Sequence, residues 1–97
     1  MWTVAPSRIQ GYGIICTHPI EAGTSLGVCH WCSPWDGQWN LTELGRYHNH
    51  SYQPTARSQR VGNYRYLVAL CNLQPGDEVT VDYRQQPDLE QPVQDWR

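Results

Sequence analysis

Residues 46–51, Arg46-Tyr47-His48-Asn49-His50-Ser51, with Pro54 close behind, put a guanidinium, two imidazoles, an amide and two hydroxyls on one short stretch. So many donors and acceptors in one place suit either the binding of a polar ligand or the internal bonding of a buried loop. Gly11-Tyr12-Gly13 allows a backbone to approach a ligand so closely that a Cβ would collide, although Gly-x-Gly alone more often marks a turn. Glu78-Val79-Thr80-Val81-Asp82-Tyr83 ends in a phenol, and by itself reads as a structural strand. Cys29-x-x-Cys32 with His48-x-His50 offers four zinc ligands, but the histidine pair lacks the usual separation of three to five positions.

Short apolar stretches bounded by Gly or Pro must position these groups. Gly13–Cys16, Ser25–Val28, Tyr66–Leu70 and Glu78–Val81 read as strands of a mainly β protein. Two turns precede strands, Ile20-Glu21-Ala22-Gly23-Thr24 and Leu73-Gln74-Pro75-Gly76-Asp77-Glu78, and the Pro-Gly pair of the second predicts type II geometry. The one helix expected spans Asn40–Gly45, with Asn40 as its N-cap, Glu43 three residues on and Gly45 as its end. Trp31, Trp35 and Trp39 recur every fourth position, yet Pro34 and Gly37 argue against a helix there; they form either an exposed interface patch or ordinary core.

A length of 97 residues gives room for one domain with a thin core. A hydrophobic share of 39% and a charged share of 16% place it in the globular class. The net charge of -2 argues against direct nucleic-acid binding, which needs a basic surplus. No apolar run is long enough for a membrane span, and the N-terminus lacks the layout of a signal peptide, so a soluble intracellular protein with reduced cysteines is expected. All seven basic residues are Arg, which fits an enzyme that must not modify its own lysines and fits a coding bias equally well.

Taken together and in this order, the three motifs resemble the SET family of protein lysine methyltransferases. Gly11-Tyr12-Gly13, Arg46 to Ser51 with Pro54, and Pro75-Gly76-Asp77-Glu78 through Asp82-Tyr83 match that family's Gly-x-Gly, Asn-His-Ser and Asp-Tyr segments. The resemblance covers residues 2–84 of a single domain, leaves 85–97 as a tail, and is strongest to the shortest members, encoded by large viruses and phages. It implies a β-clip of short curved sheets, one or two short helices and a threaded, pseudoknot-like C-terminal segment that brings Asn49 beside Tyr83. It also implies methyl transfer from S-adenosylmethionine to a lysine of a protein substrate, a histone tail among the candidates. Gly11, Tyr12, Gly13, Arg46, Asn49 and His50 would bind the cofactor, with Trp96 covering it, and Tyr83 would be the catalytic residue. Tyr52, Tyr64 and Tyr66 are candidates for an aromatic wall of the lysine channel, and no metal is implied. If the family is viral, the host cytoplasm or nucleus is the compartment.

Several residues depart from the family pattern. Tyr52 stands where the family has a small Cys, and Thr55 where it has Asn. Residues 28–48 are shorter than the usual insert that builds one side of the substrate groove, which makes a homodimer completing that groove attractive. The same shortness supports a rival: a catalytically inactive SET-like module that binds without transferring. His48-Asn49-His50 also spells the letters of the HNH endonucleases, without the further metal ligands or basic face that a nuclease needs.

Overall fold

The computed structural model describes residues 1–85. Strand β1, Trp2–Pro6, turns back antiparallel onto β2, Tyr12–Cys16, with Pro6 opposite Tyr12 at the hairpin mouth. Strand β3, Ser25–Cys32, is followed by β4, Trp39–Leu41, helix α1, Glu43–Tyr47, and the two-residue β5, Asn49–His50. Then come β6, Ala56–Val61, β7, Tyr64–Ala69, β8, Glu78–Val81, and a 3₁₀ turn, Tyr83–Gln85. One sheet has the order β1-β2-β8-β5 and the other β4-β3-β7-β6. This is the expected mainly β, SET-type fold. The threading appears as β8 lying between β2 and β5: it pairs antiparallel with Ile14 and Ile15 of β2, and parallel with Asn49 and His50 of β5.

The core lies where both sheets turn their apolar alternation inward. Ile14, Leu44, Leu67, Leu73, Val79 and Val81 are almost wholly buried, with Cys16 and Cys29 filling small gaps among them. Burial raises the Cys29 thiol to about 11, so it packs as an inert hydrophobe and donates to the Arg65 carbonyl at 3.3 Å. Both expected turns form. Asp77 N–H donates to Gln74 O at 3.0 Å with Gly76 at φ +95°, and Thr24 N–H donates to Glu21 O at 3.1 Å with Gly23 at φ +87°.

The helix differs from expectation. It begins after Thr42, not Asn40, because the Thr42 hydroxyl accepts from Gly45 N–H at 3.2 Å while donating to Val28 O at 2.7 Å. Asn40 is instead a strand residue opposite Trp31. Gly45 does not end the helix but sits inside it, pressed against β3: a Cβ there would fall 1.9 Å from the Cys29 carbonyl oxygen.

The tryptophan trio divides. Trp39 is half-buried under the guanidinium groups of Arg60 and Arg65, at 5.2 and 5.8 Å from its ring. Trp35 is exposed at the tip of the β3–β4 hairpin, and Trp31 lies in a solvent-facing row with Tyr64 and Val61. Among the described residues no helix is long and apolar enough to cross a membrane.

Gly45→Ala is expected to destabilise the fold by about 2–3 kcal/mol through overpacking, although helix propensity alone favours Ala by about 1 kcal/mol. Urea unfolding with an unchanged m-value checks the sign, and a stabilised variant would refute the close approach.

Candidate active site

The loop between β1 and β2 is organised by one hydroxyl. Ser7 N–H donates to Gly11 O at 2.8 Å, and Ser7 Oγ accepts from the backbone N–H groups of Ile9 and Gln10 at 2.9 and 3.3 Å. Gly11 takes φ +50°, which a side-chain-bearing residue rarely adopts, and nothing lies within 4 Å of where its Cβ would point. Ser7 Oγ also donates to the Glu78 carboxylate, at 2.7 and 2.9 Å from its two oxygens.

Asn49 joins this group from β5. Its side-chain amide nitrogen lies 2.8 Å from Glu78 Oε2, 3.1 Å from Ser7 Oγ, 3.2 Å from Tyr12 O and 3.3 Å from Gln10 O. The first and second motifs therefore meet directly. The reason for glycine at position 13 is also visible: a Cβ there would sit 2.6 Å from Glu78 Oε2 and 3.1 Å from Asn49 Nδ2. The group that needs the space at Gly13 is this protein's own carboxylate and amide.

Tyr83 is held at both ends by the second motif. Its backbone N–H donates to His50 Nδ1 at 3.0 Å, and its hydroxyl donates to the His48 carbonyl at 2.7 Å. The His48 and His50 rings stand 5.5 and 5.1 Å from the phenol ring. His48 Nδ1 faces the Leu44 carbonyl at 2.9 Å, so that nitrogen carries the ring proton. Burial pushes the Tyr83 phenol up to about 12 and lowers both histidines below their ordinary range, so all three are neutral near pH 7. Just beyond, the buried Asp82 pairs with Arg84, which holds its carboxyl below the usual carboxylate range.

The two substituted positions find new partners. The Tyr52 ring lies 4.5 Å from His50, with the Arg84 guanidinium 4.3 Å from its centroid. Thr55 Oγ1 donates to Glu78 O at 2.8 Å and accepts from Thr80 N–H at 2.9 Å, filling the place of a strand neighbour to β8.

The structure thus gathers Gly11, Tyr12, Gly13 and Asn49 at the start of β8, and His50, Tyr52 and Tyr83 past its end, the two groups joined through the Asn49-His50 strand. Arg46 is exposed in the last turn of α1, three residues before Asn49. Tyr64 and Tyr66 lie on β7 of the other sheet, their rings 6.4 Å apart. Trp96 lies outside the described residues. Sequence reasoning missed Ser7 and Glu78 as site residues, and His48 as the anchor of the phenol; Glu78 stood inside a quoted motif, whereas nothing around Ser7 signals its role. Among the described residues no three His, Cys, Asp or Glu side chains converge as metal ligands.

Two curved sheets with the last strand threaded beside an Asn-His segment, and a tyrosine hydroxyl fixed on that segment, define the SET class of fold. The family model of the SET domain matches residues 29–84, more than half of the chain, and the chain belongs to the SET domain family. In structure it is similar to a Plasmodium falciparum protein assigned as a histone methyltransferase, with a TM-score of 0.69 and 19% identity over 84% of this chain and 91% of that one. It is also similar to the methyltransferase domain of human PR domain-containing protein 2, with a TM-score of 0.64 and 20% identity over 82% of this chain and 74% of that one. Identities this low carry the likeness of fold alone. No curated protein matches in sequence.

Acid should loosen the Tyr83 clamp. His48 and His50 titrate below their ordinary value, so the stability their neutral forms contribute is whole above about pH 6.5 and is lost as pH falls through their lower folded-state values. Urea midpoints taken from pH 7.5 to 5 should fall in the parent and fall less in His48→Gln; equal slopes would contradict the assignment.

Proposed function

We propose that this chain transfers a methyl group from S-adenosylmethionine to a lysine side chain of a protein substrate. The observation that carries the reading is the convergence of three motifs: the Asn49 amide on the Gln10 and Tyr12 carbonyls, and Tyr83 fixed between His48 and His50.

The residues present fit the cofactor. Its methionine end bears an ammonium, and beside it a sulfonium, both cationic. Gln10 O and Tyr12 O are acceptors on the glycine loop, the Glu78 carboxylate lies behind them across the Asn49 amide, and the Gly11 surface is open where a side chain would otherwise stand. The backbone of Gly11, Tyr12 and Gly13 would hold that end, Arg46 would meet the carboxylate, and Asn49 and His50 would complete the pocket. When bound, the cofactor supplies an electrophilic methyl group on a positively charged sulfur.

Tyr83 aligns rather than titrates. With its proton committed to the His48 carbonyl, the phenol oxygen keeps its lone pairs for an N–H of the arriving amine, which turns the nitrogen lone pair toward the methyl group. A phenol raised to about 12 is no base at neutral pH, so the amine must arrive uncharged. Enclosure by the buried His48 and His50 rings favours that form, because removal from water lowers a lysine pKa. Of the three tyrosines expected in the channel wall, Tyr52 is the one whose ring stands against this group, and it is the first choice for that role. The Plasmodium falciparum neighbour is assigned to histones, so a histone tail is the first substrate to test.

Incubation with methyl-labelled S-adenosylmethionine and a panel of lysine-bearing proteins, histones included, should label one of them. Tyr83→Phe should cut the rate about 100-fold, the scale of a misaligned reacting pair, while cofactor affinity stays within about threefold. Cofactor binding with no transfer to any protein would instead identify a SET-fold binding module.

A further inference from the structure

Glu78 has a place in the site but no part in the alignment described so far. Its carboxylate accepts from two neutral groups, Ser7 Oγ and Asn49 Nδ2. Among the described residues it forms no ion pair. The Asn49 amide that touches it also touches Tyr12 O and Gln10 O, so a full negative charge lies one amide group behind the carbonyls that would face the methionine end of the cofactor. Position 13 is glycine to let this carboxylate in, since a Cβ there would stand 2.9 Å from its carbon.

The reaction changes the cofactor by one charge. The S–CH₃ bond breaks and leaves its electron pair on sulfur, the N–CH₃ bond forms, and the positive charge passes to the lysine nitrogen, from which a proton is later lost to water. The cofactor enters as a sulfonium and leaves as a neutral thioether of nearly the same shape. Shape cannot separate the two, but a fixed charge can.

We propose that Glu78 is a charge-selectivity residue: held beneath the Gly11–Gly13 loop, its carboxylate favours the sulfonium substrate over the thioether product. The proposal rests on the cofactor assignment above. A unit charge in a partly shielded site at this range is worth about tenfold in affinity. The attraction to sulfur is present before transfer and gone afterwards, which speeds product release relative to a site that holds both forms equally.

Isothermal titration calorimetry with S-adenosylmethionine and S-adenosylhomocysteine tests it on the intact chain. The parent should bind the sulfonium about tenfold more tightly than the thioether. Glu78→Gln can still accept from Asn49 and donate to Ser7; it should weaken both ligands through the ammonium they share and weaken the sulfonium about tenfold further. Ser7→Ala, which disturbs the loop but keeps the charge, should leave the ratio of the two affinities unchanged. Equal weakening of both ligands in Glu78→Gln would overturn the proposal and reduce Glu78 to a loop support. Should that variant not fold, the parent still decides, because a sulfonium-to-thioether preference of unity or less overturns it. If the parent binds neither ligand, the cofactor assignment itself falls.

Discussion

A two-residue parallel ladder, Asn49 beside Thr80 and His50 beside Val81, is the constraint on which the site depends. Two residues of pairing are too few to hold a strand in place, and side chains supply the rest. Asn49 and Ser7 bind Glu78 at the start of β8, Thr55 bridges Glu78 O and Thr80 N–H in its middle, and His50 takes the backbone N–H of Tyr83 just past its end. Each of these bonds spans more than 20 positions of sequence. Without them the glycine loop, the histidine segment and the phenol would be three unrelated surface features.

Burial of β8 gives the polar work its setting. Val79, Thr80 and Val81 are all buried, because β8 is flanked by β2 on one side and β5 on the other. The charged and polar ends of the strand, Glu78 and Asp82-Tyr83, then emerge at its two margins. One margin meets the glycine loop and the other meets the histidine rings. The neutrality of His48, His50 and Tyr83 follows from the same burial, so a site made of ionisable side chains carries little charge of its own apart from Glu78 and the Asp82–Arg84 pair.

Much of this was legible in the residues. The strand Glu78–Val81 and both turns announced themselves through β-branched residues and Pro-Gly or Ala-Gly pairs, and motif order alone implied the fold. Strand β6 did not: Ala-Arg-Ser-Gln-Arg-Val shows no apolar alternation, because only Ala56 and Ser58 turn inward and residues 59–61 are exposed. The helix start was misplaced because Asn40 and Thr42 are both good caps in sequence, and only the carbonyls of β3 select Thr42. Close approach at Gly13 is real, and the approaching groups are the protein's own Glu78 and Asn49. Ser7 was invisible, since its partner lies 71 positions away.

Ser7, Gly13, Asn49 and Glu78 are mutually dependent in a way that reaches beyond a single molecule. The space beneath position 13 is cut to one carboxylate and one amide, so a change at any corner leaves the other three with a void, a collision or an unanswered donor. Energies at such positions do not add. Inheritance should therefore treat the quartet as one character, altered in concert or left alone, while the solvent-facing Trp35 and Tyr64 are free to drift.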